Sequence, residues 1–165
     1  MRNSQAKQMA LGGVFAALAV VIMCMGGLIP VATFVCPMLC IMLLKMVLSL
    51  CGARTAWAWY GTVALLAVLM GPDKEAAAVF VFLGYYPILK PKLDAMKFPW
   101  LWKLLLFNAA IGAMYWLLIH LFGLNYIAAE YAELGTVLTV VMLVLGNVTF
   151  IMLDILLGRK LRRRK

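Results

Sequence analysis

Few side chains in this sequence can do chemistry, and those few are scattered. The four cysteines, Cys24, Cys36, Cys40 and Cys51, fall inside apolar runs, where a thiol behaves as a small hydrophobe. Cys36-x-x-x-Cys40 lacks metal-site spacing and has no histidine nearby. His120 is the one histidine, and alone it cannot build a zinc site. No H-E-x-x-H, G-x-S-x-G or Walker sequence is present, and no apolar run holds a pair of carboxylates. No enzyme, metal or cofactor is therefore expected. Without a nucleotide site, the chain cannot by itself drive ATP-dependent transport.

The setting of these residues explains their scarcity. Of 165 residues, 67% are hydrophobic and only 13% charged, with a mean hydropathy of +1.03. Soluble domains run near half apolar and about a quarter charged. A soluble fold of this length has too much surface for its volume to hide so much apolar area. The solvent must be lipid. The net charge of +9 sits in short clusters between apolar runs, as membrane flanks do, so no nucleic-acid partner is expected.

Spanning the hydrocarbon core takes about 20 mostly apolar residues as helix. Six stretches qualify, at roughly 9–29, 31–50, 54–71, 75–91, 98–123 and 134–158. All should be helices, because open sheet edges cannot exist in lipid and no period-two barrel pattern occurs. The breaks fall at Gly27 and Pro30, Gly52, Gly71-Pro72, Pro91 and Pro99, Gly123 and Gly135. Met1 to Lys7 and the run after it imitate a secretory signal, but Gly26-Gly27-Leu28-Ile29-Pro30 is a poor cleavage site. The reading is a retained first helix in one integral membrane domain, 1–165, with both termini cytoplasmic.

Basic residues set that orientation. Six spans from a cytoplasmic N-terminus leave Arg2, Lys7, Lys45, Arg54, Lys90, Lys92, Lys97, Lys103 and the tail "RKLRRRK" inside. Lys74 alone falls outside, between Asp73 and Glu75, together with Glu130 and Glu133. "GPDKE" (71–75) then forms the outer turn, with Asp73 able to cap the fourth helix and Glu75 favourable in its first turn.

Each polar residue within a span has two readings. Lys45, near the inner end of its span, can snorkel to the interface. An Asp154 pair with Lys45 or Arg54 would hold inner helix ends together. Asn108 and Asn147, near mid-span, suit interhelical amide bonds better than ligand contact. Tyr115-Trp116, His120, Tyr126 and Tyr131 form an outer aromatic belt or contact a ligand beneath the outer loops. Trp57, Trp59, Tyr60, Trp100 and Trp102 form the inner belt. Pro87, after Tyr85 and Tyr86, removes the backbone bond to Leu83 and should kink the fourth helix. Such a kink can wall a cavity or simply pack.

The first helix adds a pattern of its own. In "ALGGVFAALAVV" (10–21), Gly12 and Ala16, and likewise Gly13 and Ala17, are four apart. Such stripes let another helix approach closely in lipid, whether from the same bundle or from a partner. With the basic flank of Arg2 and Lys7, this stretch resembles the first helix of the S components of energy-coupling factor (ECF) transporters. Those are short proteins of six spans that bind substrate in a bacterial plasma membrane. The resemblance implies capture of a small organic, vitamin-like nutrient from outside, with delivery through a transmembrane coupling subunit and its ATPases. It also implies that Gly12, Gly13, Ala16 and Ala17 dock that subunit. The chain departs from vitamin-specific members in its short first outer connection, Leu28 to Thr33, and it carries no recognisable ligand signature.

The expected cavity lies in the outer half, under the 71–75 and 124–134 connections, lined by Glu75, Tyr85, Tyr86, Tyr115 and His120. The alternative is a structural scaffold of the MreD type, a similar bundle without ligand. A small exporter or channel comes third, because no polar stripe runs through the membrane.

Overall fold

A computed structural model describes residues 2–26, 32–120, 123 and 125–158. Seven helices and no strand occur among them: α1 (Arg2–Met25), α2 (Ala32–Cys51), α3 (Ala53–Met70), α4 (Lys74–Leu83), α5 (Tyr86–Asp94), α6 (Pro99–His120) and α7 (Asn125–Gly158). Four are long and apolar enough to cross a membrane: Ala6–Met25, Thr33–Cys51, Pro99–His120 and Val137–Gly158. Large apolar side chains face outward along them, with Val137 80% and Met9 75% exposed. Soluble monomers rarely show such continuous apolar surface, so these faces suit lipid.

The fourth expected span, 75–91, is not one helix. It divides into α4 and α5 at Gly84 and Tyr85. Pro87 falls in the first turn of α5, where its missing N–H costs least. Gly84 and Tyr85 keep right-handed helical dihedrals, so the break is a bend rather than an unwound loop. The helix that holds the last expected span begins earlier, at Asn125, and turns at the expected break, Gly135 (φ 69°, ψ 166°). Residues 27–31, most of the expected first outer connection, and the basic tail lie outside the described residues. So does most of 121–124, and the side chains of Tyr126, Glu130, Tyr131 and Glu133 are likewise not described.

The chain forms two compact units, α1–α5 and α6–α7. In the first, α2 packs against α1, α3, α4 and α5. Its cysteines serve the α1 contact: Cys40 Sγ donates to the Ala19 carbonyl and Cys51 Sγ to that of Gln8, each at 3.5 Å. Equal steps in opposite directions make the pair antiparallel. All four cysteines are free. Gly52 alone links α2 to α3, at φ 86°, ψ 172°, a conformation that only glycine adopts cheaply.

In the second unit, α6 and α7 form an antiparallel hairpin. Lys103 meets Asp154, Phe107 stacks on Phe150, and Asn108 meets Asn147. Each step along α6 is thus matched by a step back along α7.

Candidate functional site

The turn between α3 and α4 is built from its own charges. Asp73 Oδ1 accepts the backbone N–H groups of Glu75 and Ala76 at 2.9 and 3.0 Å, capping α4 as the sequence suggests. Its other oxygen accepts the Thr33 hydroxyl from the start of α2 at 2.7 Å. Lys74 Nζ donates to the Val68 and Gly71 carbonyls at 2.8 and 3.0 Å, closing the last turn of α3. Glu75 is half-buried and has an interaction of its own. Asp73 and Lys74 therefore tie three helices, α2, α3 and α4, to one turn.

About 15 Å along α4 lies an aromatic cluster at the bend. The Tyr60 hydroxyl of α3 donates to the Val81 carbonyl, an acceptor that an unbroken helix would give to residue 85. Tyr60 packs on Phe80 at 5.8 Å and edge-on to Tyr85 at 6.2 Å. Trp59 meets Phe80 edge-on at 6.4 Å. Any side chain at Gly84 would clash with the Phe80 carbonyl oxygen, and its Cβ would lie 3.0 Å from the Tyr60 ring. Glycine is needed there for space.

Two hydrogen-bond donors in this cluster are uncommitted. Trp59 Nε1 is buried without a partner among the described residues. The half-buried Tyr85 has only its ring contact with Tyr60, and its hydroxyl meets no acceptor among the described residues. Most buried polar groups in proteins are satisfied, so the orphaned Trp59 Nε1 stands out. Tyr86 differs from its neighbour: it is 1% exposed, among the most buried side chains of the first unit. One tyrosine of the pair thus packs and the other remains accessible, as the 100° turn between adjacent residues requires.

Trp59 corrects the sequence reading. An inner-belt tryptophan should be exposed, but Trp59 is only 4% exposed. The signal was present in α3, where Ala56, Trp59, Val63 and Ala67 recur at helical spacing and are all buried. Tyr60 also leaves the belt, through its bond to Val81. Trp57, 45% exposed, fits the belt.

The two remaining candidates belong to the second unit. Tyr115 is half-buried and has an interaction of its own. His120 is exposed, stacks on Trp116 at 5.0 Å, and holds Nδ1 3.0 Å from the Trp116 carbonyl. The mid-helix asparagines of this unit are spent on its seam. Asn108 and Asn147 exchange amide bonds at 3.0 and 3.2 Å. Each also donates to the carbonyl one turn earlier, Leu104 or Leu143, at 2.9 Å. Asp154 pairs with Lys103 at 3.0 Å, rather than with Lys45 or Arg54. The α6–α7 register places Lys103 directly opposite.

The small-residue stripe of α1 divides. Gly12 is buried, and a Cβ there would meet Thr55 Cγ2 of α3 at 3.7 Å. A Cβ at Gly13 would meet nothing within 4 Å. Ala16 is half-buried and Ala17 exposed. Gly12 thus serves internal packing, while Gly13 and Ala17 lie on an open face. No family model matches the chain, and neither does any curated protein or solved structure.

Proposed function

We propose that this chain is a multi-pass membrane protein of six spans that binds a small organic solute, in the manner of a transporter S component. The observation that carries the reading is the pair of uncommitted donors, Trp59 Nε1 and Tyr85 Oη, beside the α4–α5 bend. Discontinuous helices near the bilayer midplane commonly build transporter sites. A buried donor without a partner costs free energy that a ligand acceptor would restore. On this reading, a solute with acceptor groups and an apolar body contacts Trp59, Tyr85 and the edge of Tyr60. Glu75, at the outer turn, lies on its way in. The site is assigned to the first unit alone. Delivery would require a coupling subunit with ATPases, docked on the open face of α1 at Gly13 and Ala17.

Thermal melting tests this with a panel of vitamins, nucleobases and amino acids, because a ligand of the folded state raises Tm by mass action. The reading expects a compound that stabilises the wild type and loses that effect in Tyr85→Phe, which removes the hydroxyl and keeps the ring. A stabilising compound indifferent to Tyr85→Phe and Trp59→Phe would place the site elsewhere.

A scaffold of the MreD type is the second reading. It is favoured by the internal use of Asp73, Lys74, Asn108, Asn147 and Asp154. It expects no stabilising compound at all.

A further inference from the structure

The Tyr60 hydroxyl holds an oxygen that helix geometry assigns to another donor. In a continuous helix the Val81 carbonyl accepts the Tyr85 N–H. Here it accepts the hydroxyl of Tyr60 from α3, and the Tyr85 N–H meets no acceptor among the described residues. Backbone bonds on either side are in place. The Gly84 N–H reaches the Phe80 carbonyl at 2.7 Å, and the Leu89 N–H reaches that of Tyr85 at 3.3 Å. A carbonyl oxygen can accept twice, so the bend, and not a shortage of lone pairs, keeps the Tyr85 N–H away.

Little separates this bent form from a continuous one. Gly84 lies at φ −60°, ψ −32° and Tyr85 at φ −73°, ψ −9°. Rotations of about 10–30° in ψ bring both to ordinary helical values. Each form gives the Val81 carbonyl a donor and leaves another donor empty: the Tyr85 N–H when bent, the Tyr60 hydroxyl when continuous. Exchanging one hydrogen bond for another carries little net free energy. Pro87 has no N–H to offer Leu83 in either form, so the region is never locked as one regular helix.

The bent form also closes the aromatic cluster. Lys74 pins the start of α4 to α3, and Tyr60 pins its end. Phe80, fully buried in the last turn of α4, is thereby held against the rings of Trp59 and Tyr60. Trp59 Nε1 is buried as well, so an acceptor reaches it only after this packing opens.

We infer that Tyr60 is a latch: the bent form is the closed state of the cluster, and passing the Val81 carbonyl from the Tyr60 hydroxyl to the Tyr85 N–H opens it. Release leaves α4 fixed at its start and free at its end, which lets Phe80 move off Trp59. That this opening admits a solute rests on the reading proposed above; the latch itself does not.

Hydrogen exchange of the whole protein in nanodiscs, read residue by residue by NMR with no solute present, tests the latch. In the wild type the Tyr85 amide should exchange about tenfold faster than the bonded Gly84 amide. Tyr60→Phe removes the hydroxyl and keeps the ring. It should slow the Tyr85 amide about tenfold and speed the Trp59 indole N–H by a similar factor. Pro87→Ala gives the Leu83 carbonyl its donor and so favours the continuous helix. With Tyr60 intact it should move both signals the same way, which keeps the test decisive if Tyr60→Phe fails to fold. A Tyr85 amide that exchanges alike in the wild type and both variants would overturn the latch. So would a slowed Tyr85 amide beside an unchanged Trp59 indole, because the bend would then move without opening the cluster. If both signals move while no panel compound stabilises the wild type, the latch stands and the solute reading falls.

Discussion

Asn108 and Asn147 show what a polar residue accomplishes in this protein at the scale of single side chains. Each amide satisfies a partner across the α6–α7 seam and a carbonyl on its own helix. Interhelical polar contacts of this kind contribute about 0.6–2 kcal/mol in membranes. Asn108→Leu and Asn147→Leu should each destabilise the protein by about that amount. A double-mutant cycle read by reversible unfolding should show the two effects to be strongly non-additive. Additive effects would mean that the amides do not act as a pair. The Lys103–Asp154 bridge behaves differently, because its side chains are only 11% and 22% exposed. Removing one charge takes from the other its ion-pair partner in a poorly solvated place, whereas removing both leaves neither charge there. Asp154→Leu alone should therefore lower Tm further than Lys103→Met with Asp154→Leu. If the double variant melts below both single variants, the bridge is a net source of stability.

At the scale of elements, the sequence speaks most clearly where local chemistry decides. Asp73 as the cap of α4, a bend beside Pro87, and breaks at Gly52 and Gly135 all follow from backbone rules, and the structure has each of them. Asp73→Ala should cost about 1 kcal/mol for the lost cap, and more because Thr33 also loses its acceptor. Thr33→Val in the Asp73→Ala background should then add little, as melting of the two variants would show. Gly52→Ala should destabilise by about 1–3 kcal/mol, because alanine cannot relax at φ 86°. A neutral effect would mean that the α2–α3 link can refold around it. The partner of Asp154 was not legible, because it depends on the register of α6 against α7, which no local rule fixes. The burial of Trp59 was legible in the period of α3, but the charge-flanked start of that helix made an interfacial belt the more obvious reading. The division of 75–91 was only half legible: proline announced a bend, but not that Tyr60 would take up the Val81 carbonyl beside it.

At the scale of the whole molecule, four helices meet the length and hydropathy of a span. A six-span path needs α3 and the α4–α5 pair as two more. Single cysteines introduced at Asn3, Arg54, Met96 and Lys165, in a background without native cysteines, should resist an impermeant thiol reagent in intact cells. One introduced at Lys74 or Ala129 should react, and external labelling at Met96 would contradict the six-span path. Solute binding at the α4–α5 bend is the central claim, and native mass spectrometry of protein released gently from its membrane tests it most directly. The account predicts a bound organic compound of small mass in the wild type, and its loss from Tyr85→Phe and Trp59→Phe proteins that still melt cooperatively. Wild-type protein that carries nothing but lipid, and still gains none of the panel compounds when they are added in excess, would contradict it.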